Sequence, residues 1–488
     1  MSESRYPLTV VGIVAGGFVG GAAALLGEPL TGLALLVLIA AIGVTWRRGE
    51  VPIFPFILAY QWVSVCIALF YERWLGPVPH AFTPADLNQT VFVSLIGLAI
   101  LALGARIGMG NRRGASTENA AIGERGVTVL FWIVMAVFAV DYLYVLNPQR
   151  YSGAALIDKV LQFRYVLLIA LWSAILLHPG RWVYLFVSFV WVMIPAFGGY
   201  FSNFKTPIFM LLLVVAARWE LWDGRWWHRH AAKTLVLVPV VCALLGLAVL
   251  WQGAVKLEAR ERQDESYIEQ TPLDRVAFFI ESATTNLPAI LNDTSEAVGE
   301  LVARLSYVTL FSLVLDHTPS VEPYADGELL RGALLNGTVP RFIFPDKPVL
   351  PSASEYTRRF TGERVGGDLD GTASISIGYM AEFYADWGMT GMFVSVFSYG
   401  VWMGLLHLGI RRFIASPWFV DGSLIIVLFP AMSFEHQFVK AIGALNIGFI
   451  VTLMGAAVLT PTLRRMLQPV ELPVRDWSGA PERSAPHA

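Results

Sequence analysis

Three stretches in the second half of the chain hold the residue types that could move a proton or hold phosphate. In SISIGYMAEFYADWGMTG, residues 374–391, Tyr379, Glu382 and Asp386 stand at i, i+3 and i+7, on one helical face. Glu382 has aromatic neighbours in Phe383, Tyr384 and Trp387, a setting that suits a carboxylate to proton transfer. Solvation of a helix boundary explains the same carboxylate without chemistry. In GTVPRFIFPDKP, residues 337–348, three prolines stiffen the backbone around Arg341 and Lys347. In ARLSYVTLFS, residues 303–312, Arg304 and Tyr307 are three apart, the spacing of one helical face. His317 is the one histidine between 253 and 388 and a second candidate base.

The charges around these residues are uneven. Residues 253–388 carry 11 Lys and Arg against 21 Asp and Glu. Within them, residues 331–364 carry 6 basic residues (Arg331, Arg341, Lys347, Arg358, Arg359 and Arg364) and 3 acidic ones. A basic island in an acidic segment is what a phosphate or pyrophosphate site needs, because the planar guanidinium matches phosphate oxygens. Ion pairing inside the segment accounts for the same island equally well.

These stretches must be positioned by a membrane protein. Of the 488 residues, 56% are hydrophobic and 15% charged, against about 25% charged in soluble domains. Apolar runs near the length of a spanning helix cover roughly 8–26, 31–46, 51–71, 90–109, 127–146, 165–178, 182–199, 207–219, 234–252, 389–410, 419–435 and 441–461. That is an all-α polytopic chain of about 12 spans. Three runs are short and one could be re-entrant, so the range is 10–12. With the N-terminus in the cytoplasm, Arg47, Arg48, Arg112, Arg113, Arg125, Arg181, Arg225, Arg229, Lys233, Arg411, Arg412, Arg464 and Arg465 fall inside, while Arg150, Lys159 and Arg164 in 148–164 fall outside. Both termini are then cytoplasmic.

The expected organisation is a bundle of about nine spans over 1–252, a large extracytoplasmic loop over 253–388, three spans over 389–468 and a disordered tail over 469–488. The loop reads as mostly helical over 272–292 and 295–315, irregular over 321–371, and helical again from Thr372 straight into the span at 389. Cys66 and Cys242 lie in apolar runs and read as buried hydrophobes. No HExxH, His/Cys cluster, Walker A, GxSxG or Rossmann fingerprint is present, which weighs against metal, ATP, hydrolase and nicotinamide chemistry.

On VPRFIFPDKP at 339–348, on SISIGYMAEFYADWGMTG, and on the layout of many spans with one large outer loop, the chain resembles the Wzy-type O-antigen and exopolysaccharide polymerases of bacteria. The resemblance implies a membrane-embedded glycosyltransferase of the inner membrane that polymerises polyprenyl-pyrophosphate-linked oligosaccharide repeat units. It implies no cofactor and no metal. Expected partners are membrane lipids, a chain-length regulator and a flippase, and no nucleic acid. Glu382 is then the first candidate base and His317 the second. Arg304, Arg341, Lys347, Arg358, Arg359, Tyr307 and Tyr379 are candidates for holding pyrophosphate or glycan. The chain lacks a clean pair of the Arg-x10-Gly motif discussed for some members. An O-antigen ligase shares this layout, though no histidine stands beside the Arg-rich region. A lipid-linked-glycan flippase is the reading from another class, with Asp141 the clearest acidic residue inside a span.

Overall fold

The computed structural model describes residues 21, 27–47, 50–76, 86–110, 120–145, 162–197, 205–218, 272–292, 294–338, 347, 350–362, 375–414, 416–467 and 469–471. The expected span at 8–26 apart from residue 21, the span at 234–252, Cys242, Arg341 and the rest of 339–346, and Arg364 lie outside them, as does the side chain of Asp141. The described helices are α1 (Pro29–Thr45), α2 (Ile53–Trp74), α3 (Leu87–Gly108), α4 (Glu124–Val145), α5 (Phe163–Leu177), α6 (Trp182–Phe197), α7 (Lys205–Arg218), α8 (Pro272–Asn292), α9 (Thr294–Leu305), α10 (Val308–His317), α11 (Glu328–Thr338), α12 (Ala353–Thr361), α13 (Tyr379–Phe413), α14 (Pro417–Leu428) and α15 (Phe438–Leu467). A short antiparallel ribbon joins β1 (Ala120–Ile122) to β2 (Pro469–Glu471). The start of the expected disordered tail is therefore paired.

Four of these helices, α2, α3, α13 and α15, are long and apolar enough to cross a membrane, and six shorter apolar segments accompany them. The described residues are all-α apart from the ribbon, and the chain has the composition of a multi-pass membrane protein.

Helices α3 and α13 meet through glycines. A methyl group on Gly104 would stand 2.4 Å from the Phe397 carbonyl oxygen, and one on Gly404 would stand 2.4 Å from that of Ala105. Gly104 and Gly108 face Gly400 and Gly404, so two small-xxx-small stripes bring the backbones together. Where lipid solvates side chains as well as protein does, close van der Waals contact of this kind is what holds helices together.

Helix α13 does not run straight into its span. Gly388 has φ 68° and ψ −167°, a conformation essentially restricted to glycine, and it splits the helix into arms 379–387 and 389–413. The Tyr379 and Tyr399 ring centroids are 5.2 Å apart. Twenty residues of straight helix would rise about 30 Å. The arms therefore fold back on each other like a V. The longer arm alone would measure roughly 37 Å at about 1.5 Å per residue, enough to cross the hydrocarbon core. The expected span from 389 thus begins at the fold, and the short arm before it is a separate piece.

The segment expected as a large outer loop enters the bundle. Helices α9 and α10 meet at Ser306–Tyr307, where the Tyr307 amide donates to the Ser64 carbonyl at 3.0 Å. Ser64 lies midway along α2, so this turn sits deep among the spanning-length helices. Inside the stretch expected to be irregular, α11 and α12 are helical. Helix α11 lies along α15, with Gly337 against Ile442 and Gly443. The chain returns beside it, since Lys347 Nζ donates to the Asn336 carbonyl at 2.9 Å and Leu350 covers Gly332. Backbone that is not part of a spanning helix is tolerated at such depth only when protein surrounds it.

Candidate functional site

Three helices begin close together midway along α2 and α3. They are α10, the short arm of α13, and α15 after the break that follows α14. Helix α14 ends at Leu428, a single 3-10 turn covers Phe429–Met432, and residues 433–437 are irregular until α15. This is the short apolar run at 419–435, and the chain reverses within it. Gln61 of α2 fixes the depth of the break, because its Nε2 donates to the Ala431 carbonyl at 2.7 Å.

Aromatic rings fill the junction. Phe434 lies 4.2 Å from Tyr307 and 5.0 Å from Tyr379, and Phe438 lies 4.7 Å from Phe383 and 5.3 Å from Tyr399. The Tyr379 hydroxyl donates to Gln61 Oε1 at 3.1 Å. The Tyr307 hydroxyl accepts the Ala381 amide at 3.0 Å. Gly378, at φ 80°, makes this approach possible, since a methyl group there would stand 2.4 Å from the Tyr307 ring.

Glu382 is 5% exposed. Its Oε2 accepts the Phe438 amide at 2.9 Å and so caps α15, where the helix dipole favours a negative charge. Its Oε1 has no hydrogen-bond partner among the described residues, and neither has the Tyr399 hydroxyl. Buried polar atoms normally find partners. An uncommitted carboxylate oxygen inside an aromatic cage is therefore the most reactive feature of the junction. Asp386, expected on the same functional face, does something else. It accepts the amides of Gly327, Leu329 and Leu330 at 3.1, 3.1 and 2.7 Å, satisfying the exposed donors at the start of α11. It is a cap supplied by another helix.

The structure brings Tyr307, Tyr379 and Glu382 together. Arg304 and Tyr307 do not share a helical face, because α9 ends between them. Arg304 turns outward and pairs with Glu435 at 2.7 Å, beside Phe434, while Tyr307 is buried. Arg359 binds Glu322 through Nε at 2.6 Å and Glu328 through Nη1 at 3.2 Å. It also lies over the Phe360 ring at 4.9 Å. The Glu322 hydrogen bond is the main cause holding its guanidinium above its ordinary pKa. Arg358 follows one turn of the same capped helix, whose N-terminus carries a Ser352–Glu355 capping box. Tyr356, on α12 as well, is pushed up to about 12, by burial first and then by the Glu328 and Glu382 charges.

His317 anchors a turn. Its carbonyl accepts the amides of Val321 and Glu322, and its ring covers Gly362, the left-handed cap that ends α12. Lys347 is nearly buried, and its ammonium sits on a carbonyl at the end of α11, as cations do at helix C-termini. Gln61, Tyr399 and Phe434 were not among the expected site residues. Gln61 is visible in the sequence as the one side-chain amide in the apolar run 51–71, and a polar group inside a span needs partners from neighbouring helices. Among the described residues, no group of three His, Cys, Asp or Glu is placed to hold a metal ion.

No curated protein and no solved structure matches the chain. One family does match, over residues 89–416, which take in α3, the inserted helices α8 to α12 and both arms of α13. The chain belongs to that family, described as a domain of unknown function, DUF8712.

Proposed function

We propose that this protein polymerises polyprenyl-pyrophosphate-linked oligosaccharide repeat units by metal-independent glycosyl transfer in the bacterial inner membrane. The end of the bundle that holds Trp74, Leu87 and α12 would face outward, with both termini in the cytoplasm. The observation that carries this reading is Glu382 Oε1, a buried carboxylate oxygen without a partner where three helices start. In the reaction, an acceptor sugar hydroxyl attacks the anomeric carbon of the donor glycan. The bond from that carbon to the pyrophosphate oxygen breaks, its electron pair leaves with the polyprenyl pyrophosphate, and Glu382 takes the hydroxyl proton. Arg304, Arg358 and Arg359 would stabilise the leaving pyrophosphate. Arg304 and Arg359 would exchange their carboxylate partners for phosphate oxygens. Tyr307 and Tyr379 shape the site around the acceptor. An O-antigen ligase would use the same groups on another acceptor. A chain-length regulator and a flippase are the expected partners.

A second reading, a lipid-linked-glycan flippase, draws on the fold-back at Gly388 and the broken α14–α15 connection, because transporters place broken helices around a central site. Purified protein in liposomes containing the polyprenyl-linked repeat, with chelator present, separates the two. The polymerase reading expects a ladder of lengthened lipid-linked glycan that Glu382→Gln abolishes. Substrate crossing the bilayer without any lengthening would establish the flippase instead.

A further inference from the structure

A further helix begins at the depth of the aromatic junction. Helix α7 has 14 residues and would rise about 21 Å, too short to cross the hydrocarbon core. Its first residue, Lys205, lies against Tyr60 of α2, with Nζ 3.5 Å from the hydroxyl and 5.9 Å from the ring centroid. Phe209, one turn on, packs at 5.2 Å against Phe56, which stands earlier in α2. The helix therefore starts well inside the length of α2 and runs toward the end where α2 begins. Tyr60 directly precedes Gln61, whose side chain holds the break after α14. At that break stand Arg304, paired with Glu435, and Lys440, in the first turn of α15. The charges of Glu435, Lys440 and Lys205 all bear on the His436 imidazole, so these groups share one locality.

Lys205, Arg304 and Lys440 are all exposed. At this depth lipid would leave a charge unsolvated, and charged side chains so placed face a water-filled cavity instead. Arg304 has a carboxylate partner in Glu435. Neither lysine has a carboxylate within ion-pair distance among the described residues. Lys205 meets a phenol, and the Lys440 charge bears on Glu382 without pairing with it, since Glu382 is held by the Phe438 amide. Both lysines also lie in the first turn of a helix, where the dipole favours anions and opposes cations. Two ammonium groups that gain nothing from a carboxylate or from their own helices are suited to an anion that comes to them. An anion that reaches this depth from the bilayer is carried there by a lipid, and phosphate oxygens accept from ammonium and guanidinium alike.

We propose that Lys205 and Lys440, with Arg304, hold the phosphate groups of a lipid substrate at the depth of the aromatic junction. The inference rests on the lipid-pyrophosphate substrate of the proposed function and adds two residues to its binding. The test measures binding to the full-length protein in phosphatidylcholine nanodiscs, with farnesyl pyrophosphate as probe and farnesol and inorganic pyrophosphate as comparisons. Saturable binding of farnesyl pyrophosphate is expected, with much weaker binding of inorganic pyrophosphate and none of farnesol. Lys205→Gln and Lys440→Gln each weaken it roughly tenfold, the scale of one charge-assisted contact. Arg412→Gln, the same charge change at the exposed far end of α13, leaves it at wild-type strength. In the wild type, farnesyl pyrophosphate should also protect Lys205 and Lys440 from acetylation, which gives an answer where a variant fails to fold. Binding that both glutamine variants retain, or lysines left unprotected, overturns the proposal. So does inorganic pyrophosphate binding as tightly as the lipid. No glycan enters this experiment, so it fails or succeeds apart from the polymerase reading. Binding through the lysines without any ladder in liposomes would keep this site and remove the polymerase. A ladder untouched by both glutamine variants would do the reverse.

Discussion

The Asp386 carboxylate accepts the Leu330 amide at 2.7 Å, so a residue of α13 forms the N-terminal cap of α11. Glu382, one turn earlier, caps α15 in the same way through the Phe438 amide. The two carboxylates differ in what they have left to offer. Both oxygens of Asp386 are committed, whereas Glu382 keeps one uncommitted. Asp386→Ala should therefore destabilise the protein by about 2 kcal/mol, the upper range for a lost cap. Glu382→Gln keeps an oxygen for Phe438, so it should unfold close to wild type while losing polymer synthesis. Thermal unfolding of the two variants beside a glycan assay checks the division. Equal loss of stability in both would show that Glu382 is only a cap.

Gly388 is the hinge of the V in α13. At φ 68° and ψ −167° the backbone strains any side chain, and a methyl group would stand a tight 3.0 Å from the Tyr324 ring. Gly388→Ala should cost on the order of 1–3 kcal/mol and shift the short arm that carries Tyr379 and Glu382. The expected readout is a lowered unfolding midpoint together with lost activity. A variant of wild-type stability would show that the fold-back is not constrained there.

The α3–α13 contact rests on backbone approach. Gly104→Leu or Gly404→Leu drives a side chain into the facing carbonyls and should lower the yield of folded protein sharply in detergent extracts. Gly110→Ala is a useful contrast. Its φ of 63° strains a side chain although nothing stands within 4 Å, so its loss should be smaller.

Glu50 predicts a pH dependence. Burial alone would raise its carboxyl pKa, but the His407 hydrogen bond and charge, then Arg411 and Arg47, outweigh it and hold the group below its ordinary value. A carboxyl depressed in the folded state adds stability above its unfolded pKa of about 4.3, and that stability is lost as pH falls through the folded value. The unfolding midpoint should fall on acidification from roughly pH 6 to pH 3. Glu50→Gln should start lower at neutral pH and show a flatter profile. A wild-type profile as flat as the variant's would contradict the ion cluster.

Apolar runs marked the spanning-length helices well, because a helix that must satisfy its own backbone in lipid needs a continuous apolar stretch. The run at 90–109 became Leu87–Gly108, and that at 51–71 became Ile53–Trp74. What periodicity could not show is where a helix turns back. A glycine inside a helical pattern such as Gly388 does not by itself say that the helix folds back, and Ser306–Tyr307 carries no break signal; the contacts at both places, Tyr324 beside Gly388 and Ser64 under Tyr307, are distant in sequence. The facing glycines Gly104, Gly108, Gly400 and Gly404 stand in the sequence as two four-residue spacings. Tyr307, Tyr379 and Glu382 could be picked by type. The commitments of Arg304, Arg359 and Lys347 to Glu435, to Glu322 with Glu328, and to a helix-end carbonyl come from tertiary neighbours that spacing does not encode.

The most direct test of the central claim is the size distribution of lipid-linked glycan in cells deleted for this gene and complemented with wild type or Glu382→Gln. The account predicts single repeat units on the outer leaflet after deletion, a ladder restored by wild type, and no ladder with the variant at equal expression. Single units accumulating on the cytoplasmic side of the deletion strain, or polymer still forming there and remaining on its polyprenyl carrier, would contradict it.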